Sequence, residues 1–398
     1  MDRTELVELL SPEGLRLLDS LPPYDARANV LSQVSALRRA GHSAGLVSAV
    51  LGQCKLRAKA AAKFGEFAPH MLFTEAGLEQ ATRLRVAALH AGRFAGAGLN
   101  RVVDLGCGVG GDAMAMAALD LEVTAVDADE VTATVASFNL APFSNANVVH
   151  ADAESVDLSA ADAAWLDPAR RTAGHANTSR LTRPEDYSPS LDFVFGLAER
   201  LPIGVKLGPG HDRDQIPDAA EAQWISVDGQ VVEMGLWFGA LARAGIRRAA
   251  LLLTRDGVAE LTAPADSADV EVGPLGDYLY EPDGAVIRAR LIGDLARTLG
   301  AGMLSESIAY LTAPDFTPTP FATAFRVLEV LPVDEKKLRI ALQERRIGTL
   351  EIKKRGVDVD PATLRTRLKL KGPESATLVL TRAAGHRVAL LVERVRAG

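Results

Sequence analysis

The feature that most constrains the fold is the glycine-rich stretch 102–112, which reads V-V-D-L-G-C-G-V-G-G-D. The apolar run 101–105 is typical of a buried parallel strand, and residues 114–119 beyond the glycines are good helix formers. Glycines permit a tight turn with positive φ and let a ligand lie against the backbone. Free N–H groups at the start of the helix would face that ligand. The stretch therefore predicts a strand–turn–helix unit that binds a small molecule.

Acidic residues recur at the ends of the strands that follow. Each of the next three predicted strands is followed by an aspartate, at Asp127, Asp152 and Asp167. Ligands of open α/β sheets bind outside the carboxyl ends of the strands, and an acid after the second strand is placed to hydrogen-bond ribose hydroxyls. We therefore expect a ribose-containing ligand at this edge of a parallel sheet.

This series of motifs resembles the class I S-adenosylmethionine (SAM) methyltransferases. In that family the strand-one acid and the glycine loop hold the methionine part, the strand-two acid holds the ribose, and the residue after strand three lies by the adenine. The resemblance implies SAM as the cofactor and the following cofactor-binding residues: Asp104, Gly106, Gly108, Gly110, Asp127 and Asp152. The alternative is an NAD-type site, but the order D-x-G-x-G differs from the G-x-G-x-x-G fingerprint of those sites.

The segment before strand one carries a second, shorter resemblance. Phe73 and Thr74, in M-L-F-T-E-A-G-L, resemble the F-x-x-T-P-E entry of the trimethylguanosine synthase group, which also has the C-G-V-G-G loop found here at 107–111. The resemblance implies that Phe73 and Thr74 contact SAM. The alternative is a plain helix over 75–94 with Thr74 as its N-cap and a buried Phe73.

Composition limits the other classes of protein. With 48% hydrophobic and 24% charged residues, the 398-residue chain is typical of a globular protein of two or three domains. There is no run of about 20 apolar residues, and the first residues are acidic where a signal peptide needs cations. We expect a cytoplasmic protein without membrane contact. Cys54 and Cys107 form no C-x-x-C pair and the histidines are scattered, so no metal is expected.

The C-terminal part is basic. Residues 335–398 contain 16 Lys and Arg against 7 Asp and Glu, a net charge of +9, which leaves −16 for the rest of a chain whose total is −7. The predicted order there is strand, helix, strand, helix, strand, strand. With E-I-K-K-R-G at 351–356 it resembles the THUMP-like domain that ends a family of bacterial SAM methyltransferases. THUMP domains bind RNA, so the resemblance implies an RNA partner, tRNA or rRNA, and substrate contacts by Lys353, Lys354 and Arg355.

Together these patterns predict an α/β protein: a Rossmann-like class I methyltransferase sheet with an N-terminal helical region and a small C-terminal THUMP-like α/β domain. We expect the helical region over 1–95, the SAM-binding domain over 96–256, a connecting segment over 257–322 and the basic domain over 323–398. In the connecting segment a helix is predicted over 283–299. The stretch 230–242 reads as either a helix or a hairpin.

The end of strand four is the candidate catalytic motif, Asp167-Pro168-Ala169-Arg170. Amino-group methyltransferases often carry (D/N/S)-P-P-(Y/F/W) there, and the acid and the proline carbonyl accept hydrogen bonds from the target amine. The resemblance implies catalytic roles for Asp167 and Pro168, while Ala169 and Arg170 depart from the pattern. The related D-P-P-R form of 5-methyluridine enzymes needs a late nucleophilic cysteine, which this chain lacks.

Basic residues near this motif complete the sequence-based prediction. The candidate substrate contacts are Arg170, Arg171 and Lys206. The two arginines could bind a substrate phosphate, which is anionic. Lys206 lies at the end of the predicted strand five, near the expected substrate entrance. The sequence thus predicts a SAM-dependent methyltransferase acting on a base nitrogen of RNA. A small-molecule or protein methyltransferase and a non-catalytic SAM-binding protein are the alternatives.

Overall fold

The computed structural model describes residues 1–25, 27, 29–170 and 187–395, and of residues 169 and 170 the backbone alone. The chain forms two compact units. The first contains Met1–Leu207, Pro217–Ala219 and Leu236–Ala242, and the second contains the remaining segments from Gly208 onward.

The first unit begins with six helices. They are α1 Arg3–Leu9, α2 Pro12–Ser20, α3 Val30–Arg39, α4 Ala44–Phe64, α5 Glu75–Gln80 and α6 Leu84–Gly96. The helix predicted over 75–94 is wrong as a single element: Thr74 does cap α5, but the chain is extended at Ala81 and a new helix starts at Leu84. The break has a physical reason, because the Thr82 side chain leaves the helical path to bond a buried carboxylate.

A parallel sheet follows the helices. Its strands are β1 Arg101–Leu105, β2 Glu122–Asp127, β3 Ala146–His150, β4 Ala163–Leu166 and β7 Ile203–Leu207, in the order β3-β2-β1-β4-β7. Helices α7 Gly111–Ala117, α8 Glu130–Leu140 and α9 Leu191–Ala198 accompany it, and short strands β5 Ala169–Arg170 and β6 Tyr187–Ser188 pair with each other. The strand order reverses between β1 and β4, which is where such sheets bind ligands. The predicted Rossmann-like sheet is confirmed.

The second unit starts with further strands. They are β8 Glu221–Val227, β9 Gln230–Trp237 (whose last two residues belong to the first unit), β10 Arg248–Thr254 and β11 Gly257–Ala263. Strands β8 and β10 are parallel, while β10 and β11 are antiparallel. The stretch 230–242, which the sequence left open, is a strand followed by a 3₁₀ turn.

A seven-stranded sheet makes up the rest of the second unit. Its strands are β12 Tyr278–Pro282, β13 Gly302–Ser305, β14 Ile308–Ala313, β15 Ala322–Leu331, β16 Ile347–Lys354, β17 Glu374–Ala383 and β18 His386–Arg394, in the order β13-β14-β12-β15-β18-β17-β16. Its helices are α10 Gly284–Arg288, α11 Ile292–Leu299, α12 Glu335–Glu344 and α13 Pro361–Leu368.

Two findings here differ from the sequence-based expectations. Segment 257–322, expected to connect two domains, supplies β12, β13 and β14 to the same sheet as residues 323–398, which we call the C-terminal module. The single helix predicted over 283–299 is two helices, because Arg290 between them has a left-handed backbone with φ of 59° that a helix cannot continue through.

Throughout the described ranges, no helix combines the length and apolar character that crossing a bilayer requires.

Candidate active site

The glycine loop after β1 takes the conformation that its sequence predicts. Gly106 has a φ of 90°, a conformation that is strained for other residues, and a Cβ built on it would lie in tight contact with the Asp167 carbonyl oxygen, at 3.2 Å. Gly110, with a φ of 85°, is the left-handed N-cap of α7. Asp127 at the end of β2 steadies the loop, since its Oδ2 accepts from the Gly108 N–H at 3.1 Å. Burial raises the pKa of Asp127 despite hydrogen bonds from the backbone of Asp129 and Gly108.

A cavity of about 310 Å³ opens at this loop, a volume at the lower end of the roughly 300–1,000 Å³ typical of small-molecule sites. Its lining includes a run of carboxylates: Asp104, Asp112, Asp127, Asp129, Asp152 and Asp167. Within the described parts of the chain, no Lys or Arg lines it. Such a lining suits a ligand with positive charge and would repel the pyrophosphate of a dinucleotide.

Asp104 carries the clearest sign of a missing partner. Its side chain lies within β1 and is 1% exposed, and neither carboxylate oxygen has a hydrogen-bond partner among the residues that the structure describes. Burial, together with the charges of Asp112 and Asp167, raises its pKa well above the usual value. A buried carboxylate without partners is costly, and a cationic N–H donor from a ligand would satisfy it.

Asp112, at the start of α7, is buried and fully engaged. His90 Nδ1 lies 2.8 Å from one carboxylate oxygen, and the Thr82 hydroxyl donates to the other at 2.7 Å. Burial opposes ionisation, but the hydrogen bonds from His90 and Thr82 and the nearby Lys206 ammonium leave its pKa below the usual value. The His90 ring also packs against the Trp165 ring in a tilted arrangement, with ring centroids 4.3 Å apart.

Lys206, at the end of β7, links this group to the candidate catalytic acid. Its Nζ lies 2.5 Å from Asp167 Oδ2 and donates to the Thr82 hydroxyl at 3.0 Å. Asp167 lines the cavity immediately after β4, whereas Lys206 is not among the lining residues. The expected substrate contact is thus, in this structure, the ionic partner of Asp167.

The remaining predicted residues divide between the cavity and other places. Asp104, Gly106, Gly108, Asp127, Asp152 and Thr74 line it. Phe73 does not: its ring is fully buried in the core, 5.4 Å from the ring centroid of Phe64, so it is not available to a cofactor. Pro168 is buried beside Asp167. The side chain of Arg170, and Arg171 as a whole, lie outside the described residues.

Two of the three residues expected to contact RNA are occupied within the second unit. Lys353 Nζ pairs with Glu281 at 2.7 Å, and the Arg355 guanidinium donates to the Ala309 carbonyl and lies over the Tyr310 ring. The RNA contacts predicted for Lys353 and Arg355 stay predictions, and in this structure protein groups already hold both side chains. Lys354 is exposed.

Sequence reasoning missed Asp112 and Thr82, which line the cavity, and His90, which contacts Asp112. Asp112 lies in the glycine-rich stretch at the start of the predicted helix, and this position could have indicated it as a site residue. Thr82 and His90 gave none, since their partner Asp112 lies 30 and 22 positions away.

A Rossmann-like sheet with a glycine loop and an acid-lined cavity, in which the buried Asp104 has no described hydrogen-bond partner, is typical of a site for a nucleoside cofactor without phosphate. A family model described as "Methyltransferase domain" matches residues 102–184, one described as "THUMP domain-like" matches 322–394, and a domain of unknown function matches 2–60. An uncharacterized S-adenosylmethionine-dependent methyltransferase of Mycobacterium tuberculosis, found in strains H37Rv and CDC 1551, is 35% identical over 342 residues, covering 82% of this chain and 90% of the relative.

The chain therefore belongs to the S-adenosylmethionine-dependent methyltransferases, and SAM is its cofactor. A candidate methyltransferase of Porphyromonas gingivalis W83 shares the fold, with a TM-score of 0.71 and 19% identity over 94% of this chain and all of that one. When bound, SAM supplies an electrophilic methyl group on a sulfonium. The acid-lined cavity and Asp104 fit a cofactor that carries positive charge at its sulfonium and its amino group.

Proposed function

We propose that this methyltransferase acts on a nitrogen of a base in tRNA or rRNA. The observation that carries the proposal is the Asp167-Pro168 pair at the end of β4, with the Asp167 carboxylate on the cavity lining and 2.5 Å from Lys206. An acid at this place is what amine methylation needs. The ion pair fixes the orientation of the carboxylate, so less freedom is lost when a substrate binds.

The chemistry asked of Asp167 is modest. Methylation of an amine would form an N–C bond as the S–C bond to the methyl group of SAM breaks and the thioether leaves, and the nitrogen is left with a proton to lose. A carboxylate beside the amine accepts its hydrogen bond first and can accept that proton afterwards. The ion pair with Lys206 holds Asp167 in place, and Lys206 in turn donates a hydrogen bond to the Thr82 hydroxyl. Asp167 is therefore the proposed acceptor, and Lys206 the proposed positioning residue.

RNA binding is proposed for the C-terminal module, at a groove with free cations. Arg346, Lys369 and Lys371 line the groove with Gln343, and all three cations are exposed. Within the described part of the chain, none of them has an acidic partner. A cluster of unpaired cations on one surface attracts phosphate groups and makes binding depend on salt. We therefore propose the three groove cations, together with Lys354, as the residues that contact RNA in place of Lys353 and Arg355.

The test is methyl transfer from labelled SAM to total small and ribosomal RNA from a strain lacking this gene, followed by nucleoside analysis. We expect label in one modified nucleoside. Asp167→Ala should lower transfer at least about 100-fold, because the side chain that accepts the amine's hydrogen bond and proton is lost, with SAM affinity changed only a few-fold. Asp192→Ala, at an exposed position on α9, is the matched control and should transfer normally.

Two other outcomes favour the alternatives. Label in a protein or small-molecule fraction, with none in RNA, would support a different substrate class and leave the basic groove without its proposed partner. SAM binding without transfer to any fraction would support a non-catalytic role.

A further inference from the structure

The short helix α5 is one wall of the cofactor cavity. Residues of α5 and its flanks that line the cavity are Thr74, Ala76, Gly77, Gln80, Ala81 and Thr82. The helix has six residues, fewer than an isolated helix needs to be stable in water. Its position must therefore be set by contacts with other elements.

The C-terminal end of α5 is held by lysine ammonium groups. Carbonyls at a helix end have no partner within the helix. Lys63, near the end of α4, donates to three of them. The acceptors are the carbonyl oxygens of Leu78, Glu79 and Ala81, at 2.8, 2.7 and 2.7 Å. The one carbonyl between them, that of Gln80, accepts from Lys206 Nζ at 3.2 Å.

The chain leading into α5 is held by buried amides. Gln53 on α4 accepts from the Phe73 N–H at 3.0 Å and donates to the Phe73 carbonyl at 2.7 Å. Asn139 on α8 does the same with Leu72, accepting at 2.8 Å and donating at 3.0 Å. Both ends of the wall are thus fixed by side chains of other helices, and α4 contributes to each end.

Close packing against the glycine loop makes the position of α5 critical. A Cβ built on Gly77 would lie 2.7 Å from Val109 Cγ1 and 2.6 Å from Thr74 Oγ1, so α5 lies directly on the loop. A small displacement of the helix would change the shape of the cavity. The displacement would also reach Asp167, since Lys206 bonds both Gln80 and that acid.

We propose that Lys63 is a positioning residue for the cofactor, which holds the end of α5 against the glycine loop and so sets the affinity for SAM. Lys63 faces Lys206 and Arg83, which repel its charge, and Glu79 and Asp167, which attract it. The inference concerns SAM binding and does not depend on RNA being the substrate, so either proposal can fail without the other.

The test is calorimetric titration with SAM of Lys63→Met, which keeps the length of the side chain and removes its donors. We expect the affinity to fall about tenfold. Lys55→Met, at an exposed position two turns earlier on α4, is the matched control and should bind within twofold of the unchanged protein. Lys63→Arg keeps a charged donor and should recover at least half of the lost affinity on a logarithmic scale, which a purely space-filling role would not predict.

Hydrogen exchange of residues 75–82 gives an independent readout. In Lys63→Met this segment should exchange faster than in the unchanged protein, while the β1 amides stay protected, and saturating SAM should slow it again. Unchanged SAM affinity in a folded Lys63→Met would overturn the proposal. Where that variant does not fold, the unchanged protein decides: exchange of amides 78–82 that SAM does not slow would also overturn it.

Discussion

The acid-lined cavity at the glycine loop and the basic C-terminal module carry charges of opposite sign. Six aspartates line the cavity, and the buried Asp104 has no hydrogen-bond partner among the residues that the structure describes. The module exposes cations on a groove, with Arg346, Lys369 and Lys371 lacking acidic partners in its described residues. Both surfaces carry charged groups that a ligand could pair with, but the cavity is enclosed and the groove is open to solvent. We therefore expect ligand binding in the enclosed cavity to be strong and insensitive to salt. Binding at the open groove should be weak and should depend on salt.

Lysines make the same contrast within a single residue type. Lys63 and Lys206 donate to carbonyls and to Asp167 around the cavity, and Lys353 pairs with Glu281 in the module. Lys354, only one position further along, is exposed. A lysine that meets a protein acceptor supports structure, and one that does not is available to a partner.

The largest effect is expected from Asp104→Asn. Removing the charge should weaken SAM binding by about 30- to 100-fold, since a hydrogen bond to a charged group is worth about 1.5–3 kcal/mol. The free energy of unfolding should stay the same or rise, because the protein loses an unpartnered buried carboxylate. Calorimetric titration and urea unfolding measure the two quantities. A variant that binds SAM normally would break the contrast between the two surfaces.

The open groove is tested by the triple change of Arg346, Lys369 and Lys371 to Ala. We expect RNA affinity to fall about tenfold at 0.1 M salt, and the slope of log K against log salt to lessen by about 2. SAM affinity should not change. The control replaces three exposed cations of α12, Lys336, Lys337 and Arg339, with Ala. An equal loss in that control would mean that net charge, rather than the groove, governs binding.

A smaller effect separates the neighbours Lys353 and Lys354. Lys353→Met should lower the free energy of unfolding by about 1 kcal/mol, because Glu281 loses the ion pair with a side chain that is only 21% exposed. Lys354→Met should leave stability unchanged and weaken RNA binding slightly. Urea unfolding and RNA titration of the two variants measure this. The reverse assignment, with Lys353→Met weakening RNA binding alone, would return Lys353 to the RNA-contacting set.

The smallest expected effect is the contribution of Lys63 to the pH dependence of the free energy of unfolding. Burial, with the charges of Lys206 and Arg83, lowers its pKa from 10.5 to about 8 in the folded protein. Between these two values the unfolded chain keeps a proton that the folded protein has released, so the free energy of unfolding should rise with pH in that window. The gain should be below about 1 kcal/mol because Lys63 is only partly buried. Unfolding at pH 7.5 and 9.5 should show it in the unchanged protein and not in Lys63→Met.

The sequence by itself determined the parallel sheet, the glycine loop and the acids at its strand ends. These features are local: an apolar run predicts a buried strand, and a positive-φ turn needs glycine within a few positions. The cavity residues Gly106, Gly108, Asp127 and Asp152 could be predicted for this reason, whereas Asp104 was indicated only by the resemblance to the class I methyltransferases. The order of elements in the C-terminal module was likewise predictable from its alternating patterns.

Only the tertiary structure decided what the polar side chains do. Lys206 and Gln80 are 126 positions apart, and Lys63 and Ala81 are 18 apart, so no local pattern indicates that these lysines hold the cavity wall. The pairing of β12 with β15, which places segment 257–322 in the second sheet, is also long-range. Helix and strand formation responds to neighbours in sequence, whereas the partner of a buried charge is whichever group the fold brings within about 3 Å of it.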